Sequence, residues 1–427
     1  MMNQRSWLAM IVVGMSLATA WAIRGQFGHE QGAAWAGGIG GLAVVLLAKR
    51  ADWYAKALQL SLASAIGWGV GGIISYGMVV GYGHSSSFLN AYYGLGMLFV
   101  IGALFGLIGG GMFGLVLSDN PEHRVSWSQV IVEMTTGAII FYYFLIEQLG
   151  WLMTPPRSEA WAACLGMAIA LFWYMLRNGH KGALRVAIFA GLGAGFGFSF
   201  GNFIQVISRE SGIQFNFWNV MEYSIGFFGG LGMAYGTFTT PWPQITTKVD
   251  RSKLIVPLAI LVLIIPFLIW EQSFGSERLS KMVTELSPLT DASALALKIQ
   301  WMAAVLILGS TAYWFYYFLI KKNKTDLHLK YEDLKIFFFS NLGVYTVLSI
   351  LITGAFLSVY RIEQYLYILN MMVIGFLIDR FYPDFSSRGF NWTRWAINLI
   401  FILVVIALFA AVAIQTHDEL PNAHDRF

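Results

Sequence analysis

Residues 93–117 read YGLGMLFVIGALFGLIGGGMFGLVL, with no charged side chain anywhere in the run. As an α-helix such a run is about 37 Å long at ~1.5 Å per residue. That exceeds the ~30 Å hydrocarbon core of a bilayer. Twelve further apolar runs, each bounded by polar turns, fall near 7–23, 31–48, 58–82, 128–147, 159–176, 183–207, 218–240, 254–271, 295–320, 336–358, 365–379 and 394–415. Lipid offers backbone groups no hydrogen-bond partner, so every such run is expected to be helical. The expected fold is all-α: a polytopic integral membrane protein of about 13 transmembrane helices.

Composition agrees with this reading. Of the 427 residues 57% are apolar and only 12% charged, against about 25% charged in a soluble domain. Glycine is abundant (45) and proline scarce (10), which suits helices packed closely within lipid. The polar stretches 272–294, 321–335 and 416–427 are too short to bury a core of their own. The run 7–23, with Ala18-Thr19-Ala20 as a small-residue motif, also has signal-peptide character. It is expected to be retained as a first span, because an internal repeat in the chain needs it there.

Placing the N-terminus inside assigns to inner loops Arg5, Lys49, Arg50, Lys56, Arg124, Arg177, Lys181, Arg185, Lys248, Arg251, Lys253, Lys321, Lys322, Lys324, Lys330, Lys335, Arg380, Arg388 and Arg394. These are most of the 27 basic residues. The bias predicts an N-in, C-out orientation, and the expected location is a bacterial cytoplasmic (inner) membrane.

The repeat shows in the spacing of small residues. Gly67, Gly69, Gly71, Ser75 and Gly77 recur 124 residues later as Gly191, Gly193, Gly195, Ser199 and Gly201. Gly102, Gly106 and Leu107 recur as Gly226, Gly230 and Leu231 at the same offset, and AAWAGGIGG (33–41) resembles EAWAACLGM (159–167). A fainter third copy shows in FLIWEQSFG (267–275) against FLIEQLG (144–150). The expected organisation is therefore a first four-helix quartet over 1–125, a second over 126–250, a degenerate third over 251–393, and a final helix with its tail over 394–427. Quartets of even number run parallel to one another. The Gly-x-Gly runs have two readings, since residues two apart do not share a helix face: close helix contact, or a helix that unwinds beside a solute.

The outer helix ends collect polar residues. The first hairpin carries Arg24, Gln26, His29 and Glu30, the fifth-to-sixth connection Glu147 and Gln148, and the ninth-to-tenth Glu271 and Gln272. With Asn202 in the seventh span, these are the candidate binding residues for a polar solute, because ionisable groups at membrane depth are functional candidates by default. Glu222 and Glu133 are the candidate ion-coupling carboxylates. Trp7, Trp53, Trp127, Trp151, Trp161, Trp242, Trp301 and Trp395 are expected at the membrane–water interfaces, which favour indoles. Cys164 is the only cysteine, which excludes an intramolecular disulfide and a cysteine-based zinc site. No phosphate-cradling loop, HExxH or nucleophile elbow is present, and the net charge of +4 fits basic loops rather than a nucleic-acid surface. No cofactor or metal is expected; the expected partners are a small-molecule solute and the lipid bilayer, with no nucleic acid.

These features point first to a secondary transporter or facilitator of a small polar solute (anionic, zwitterionic or sugar-like), with protons or sodium as candidate coupling ions. A second reading is an integral-membrane transferase or hydrolase acting on a lipid or envelope glycan. There His29 would be the general base, oriented by Glu30 or Glu147, with Arg24 holding an anion. A third is a subunit of a larger membrane complex.

Overall fold

The computed structural model describes residues 4–244, 252–321, 329–387, 389, 391–418 and 420–427. Of the expected inner-loop cations, Lys248, Arg251, Lys322, Lys324 and Arg388 lie outside the described residues. Among the described residues the chain forms helices and turns and no strand. In order they are α1 (Gln4–Arg24), α2 (Glu30–Ala48), α3 (Ala51–Tyr54), α4 (Ala57–Gly71), α5 (Gly77–Gly83), α6 (Phe88–Ser118), α7 (Trp127–Tyr142), α8 (Glu159–Arg177), α9 (Lys181–Ser208), α10 (Phe217–Phe238), α11 (Ser252–Ala259), α12 (Ile265–Ser273), α13 (Ser276–Leu286), α14 (Ala292–Phe315), α15 (Tyr331–Thr353), α16 (Ile362–Leu377) and α17 (Trp392–Ala413). Wider π turns extend α7 over Tyr143–Gln148 and α14 over Tyr316–Lys321, and another joins α11 to α12 over Ile260–Ile264. The last lies between Pro257 and Pro266; neither proline has an N–H to offer the helical ladder, which loosens it there.

Among the described residues ten helices are long and apolar enough to cross a membrane. The architecture is that of a helical membrane protein. Its helices differ in what surrounds them. Most of α1, α2, α6 and α9 is buried inside the bundle, whereas little of α7, α14 and α17 is. The exposed faces are apolar: Trp301, Met302, Val305 and Leu308 on α14, and Ile400, Phe401, Val404 and Leu408 on α17. Apolar faces of this extent are not a stable boundary with water; a hydrocarbon solvent accepts them.

Small residues bring the central helices together. A Cβ placed on Gly106 of α6 would lie 2.1 Å from the Ala190 carbonyl oxygen of α9, and one on Gly102 would lie 2.4 Å from that of Ala194. The glycines matched to these at offset 124 make a different contact. Gly226 and Gly230 of α10 meet Ala18 and Gly14 of α1. The matched positions therefore serve the same end, close backbone approach, against different partners.

The run 58–82 is not one continuous helix. α4 stops at Gly71, residues 72–76 form a turn, and α5 resumes at Gly77. The corresponding glycines at 191–197 sit inside the unbroken α9. Both Gly-x-Gly runs are helical and closely packed, with Gly67 against Ile108 and Gly71 against Phe105 in the first and Gly193 against Phe228 and Gly197 against Ser224 in the second; the break follows the first run, at residues 72–76. Ser199 donates to the Leu95 carbonyl at 2.7 Å and also back to Gly195 at 3.4 Å. Trp7, Trp151 and Trp301 are exposed, whereas Trp53 and Trp161 are buried in the bundle.

Candidate functional site

The densest polar element of the sequence lies where α1 turns into α2. The turn is built from its own backbone: Gln26 N–H donates to Ile23 O (3.0 Å) and Phe27 N–H to Arg24 O (2.9 Å). Gly28, at φ +86°, reverses the chain with a conformation that L residues rarely adopt. The turn leaves Arg24, the last residue of α1, pointing into the bundle with 2% of its surface exposed. Gly32 allows this, since a Cβ there would stand 2.9 Å from Arg24 Cγ. Tyr345 of α15 fixes the same spot from the other side by donating to Gly32 O at 3.0 Å.

Arg24 meets a carboxylate 198 residues away. Its Nη1 lies 3.0 Å from Oε2 and 3.2 Å from Oε1 of Glu222, which is fully buried on α10. The same Nη1 donates to the Tyr76 hydroxyl at 2.7 Å, and that hydroxyl donates to Glu222 Oε1. Tyr76 is the last residue of the turn, immediately before α5 begins at Gly77. The helix break therefore delivers the third member of the cluster. Arg24 Nη2 lies 3.3 Å from His29 Nδ1. A guanidinium has no acceptor, so Nδ1 accepts and the ring proton sits on Nε2. The Trp21 face covers the guanidinium at 4.9 Å, a cation–π contact worth more once water is excluded. Arg24 Nε has no hydrogen-bond partner among the described residues.

Beside the cluster lies a cavity of about 200 Å³, lined by Arg24, His29, Tyr76, Trp218 and Glu222 together with Gly25, Gly28 and Gly77. At ~30 Å³ per water it holds a solute of only a few heavy atoms. No known family model matches this chain, and no curated protein or solved structure matches it either.

The structure brings Arg24, His29 and Glu222 together and sets the other candidates around or away from them. Gln31 of the first hairpin donates to Gln272 at 2.8 Å, Arg278 donates to the Gln26 carbonyl at 3.2 Å, and Glu30 lies 4.0 Å from Arg157. The first hairpin thus touches both of the other polar helix ends, but only along an exposed rim. Glu147 is exposed and accepts from Tyr142 at 2.6 Å. Gln148 and Glu271 are exposed. Among the described residues no hydrogen bond joins His29 to Glu30 or Glu147. Glu133 pairs with Arg177 at 2.5 Å in a partly exposed position between α7 and α8. Asn202 is fully buried elsewhere, with its Nδ2 3.3 Å from His84 Nε2 and 3.4 Å from Gln205 Oε1. Cys164 is buried and points its thiol at the Val70 carbonyl.

Sequence reasoning missed Tyr76, Trp21 and Trp218. The only signal for Tyr76 was its place at the end of a Gly-rich stretch, immediately after Ser75. Removing the Tyr76 hydroxyl tests its part. Tyr76→Phe leaves the ring contacts and takes away one bond to each charged partner. It is expected to lower stability by about 1–2 kcal/mol, read as thermal unfolding of the purified protein.

Proposed function

We propose that this chain is a secondary transporter or facilitator of a small anionic or zwitterionic solute, with Arg24 and Glu222 as its binding centre. One observation carries the reading. A buried, hydrogen-bonded ion pair is assembled at a break in a helix and borders a cavity large enough for a small solute. Burying two charges costs several kcal/mol per ion, and their mutual attraction seldom exceeds what apolar packing would have given. Such a pair is therefore weakly motivated by stability and strongly motivated by exchange. A solute carboxylate or phosphate can replace Glu222 on Arg24, provided that Glu222 takes up a proton or a cation when it lets go. Tyr76 then has a role in both states, because its hydroxyl reaches both charges. Glu222 is the coupling carboxylate in this scheme; Glu133, tied to Arg177 at the periphery, has no part in it.

The scheme includes the finer topology. Alongside the ten long apolar helices stand α10, the shorter apolar helices α4 and α16, and the α5 continuation of α4. Together they supply thirteen crossings with the N-terminus inside and the C-terminus outside, in the cytoplasmic membrane of a bacterium. Within the proposed quartets α1 pairs with α2 and α4 with α6, as α7 with α8 and α9 with α10, but α2 packs along α4 whereas α8 barely touches α9.

The test uses purified chain in proteoliposomes. Small organic anions and amino acids are first ranked by how far they raise the thermal stability of the protein, and uptake of the best ones is then followed with radiolabel. Arg24→Lys replaces a planar fork with a point charge and is expected to slow uptake about ten- to hundredfold. Glu222→Gln is expected to remove the dependence of uptake on a proton or sodium gradient. Uptake that proceeds unaltered in both variants removes the assignment.

A further inference from the structure

The opposite end of the bundle holds a second polar cavity, of about 320 Å³. Its walls are the end of α6 with Ser118 and Asn120, the connection carrying His123, the start of α9 with His180, Lys181 and Arg185, the stretch Thr240–Pro243 after α10, and Ser387 and Gly389. The segment around 384 touches the first turns of α1, where Asp384 N–H donates to Ser6 Oγ, so Arg24 at the far end of α1 takes no part. Lys181 and Arg185 bring positive charge, and no carboxylate lines the cavity among the described residues. Nearby Asp119 is turned towards the Val125 N–H at 3.1 Å. Arg185 is held in place by Thr239 Oγ1 at 3.0 Å and by the face of Phe189 at 4.8 Å. The 28-residue α9 begins here without a side-chain cap, so its first N–H groups and its dipole favour an anion.

His180 adds an independent requirement. The ring is 1% exposed and stacks on His123 at 4.1 Å. Its Nδ1 lies 3.0 Å from Ser118 Oγ, and that hydroxyl donates its one proton to Leu115 O at 3.0 Å. With its proton on Leu115 O, Ser118 accepts from His180, which puts the ring proton on Nδ1 and makes Nε2 an acceptor. That Nε2 has no partner among the described residues. Burial pushes the imidazole down to about 4, so the ring is neutral at physiological pH.

We propose that this cavity binds an oxyanion that still carries a proton: inorganic phosphate or the phosphomonoester head of a lipid. Lys181 and the helix start take the negative oxygens, and the P–OH donates to His180 Nε2. Sulfate has the same shape but no proton, so it sets a lone pair against a lone pair and leaves the buried acceptor unmet.

Isothermal titration calorimetry on the full chain in detergent tests this with three probes: inorganic phosphate, sulfate and dihexanoyl phosphatidic acid. Saturable binding of phosphate or phosphatidic acid is expected, with sulfate about tenfold weaker or worse. Tighter binding of inorganic phosphate assigns the site to a soluble ligand, and tighter binding of phosphatidic acid to a lipid head. Lys181→Gln changes an exposed residue and should weaken binding about tenfold. His180→Asn keeps a polar group facing Ser118 but removes Nε2, and should abolish the preference for phosphate over sulfate. Thermal unfolding and gel filtration report the folding of each variant; if His180→Asn does not fold, the sulfate comparison and Lys181→Gln decide. No saturable binding of either phosphorus probe, equal binding of sulfate, or unchanged affinity in Lys181→Gln overturns the proposal.

Discussion

Glu222→Ala is expected to lose about 3–5 kcal/mol of stability, because it leaves a guanidinium buried without its counter-charge. Arg24 cannot escape the loss by shedding its proton, since arginine stays charged in proteins. Nor can it swing out to the headgroups easily. It sits at the last position of α1, beneath the Trp21 face, with Gly32 and Tyr345 closing the space around it. Glu222→Gln keeps an acceptor for the Tyr76 hydroxyl and for Nη1, and should cost clearly less. Reversible unfolding in mixed detergent gives the two values. Equal stability of the alanine variant and the unaltered chain would mean that the pair is solvated in the membrane, contrary to its burial.

The other large effect is steric. Gly106→Val is expected to drive α6 and α9 apart, since the new Cβ would stand 2.1 Å from a carbonyl oxygen and 2.4 Å from its carbon. Both are backbone atoms of Ala190 and have no rotamer with which to yield. Overpacking a core costs about 1–3 kcal/mol when side chains can adjust, so this position is expected at or above that range, with loss of monodisperse protein as the readout. Gly96→Val on the same helix is the control: a Cβ there meets nothing within 4 Å. Similar behaviour of the two variants would contradict the close approach of α6 and α9.

Much of the helical framework was legible because lipid imposes a coarse rule. An apolar run of sufficient length becomes a helix, and 93–117 could be read as one at sight. The break at residues 72–76 was not legible. A Gly-x-Gly run is compatible with close contact and with unwinding; both runs pack closely, and only the first is followed by a break. Trp53 and Trp161 were expected at an interface because indoles favour one, yet burial between helices competes for the same residue type and took both. In the site, Arg24, His29 and Glu222 stood out as polar groups in an apolar background. Their meeting did not, because 198 residues separate Arg24 from Glu222 and no periodicity links them. Tyr76 was invisible among 19 tyrosines and 33 phenylalanines; only the tertiary structure shows that its hydroxyl reaches both charges. The rim contacts Gln31–Gln272 and Glu30–Arg157 likewise depend on how three distant helix ends are packed.

In the proposed scheme the Arg24–Glu222 pair serves solute exchange and does not hold the bundle together. The double variant Arg24→Met/Glu222→Leu separates the two, because apolar residues of similar volume often replace a buried ion pair without loss of stability. Unfolding and proteoliposome uptake, measured on the same preparation, should show stability close to that of the unaltered chain and no uptake of the anion that stabilises that chain most. A double variant that is stable and still transports that anion at the original rate would contradict the claim.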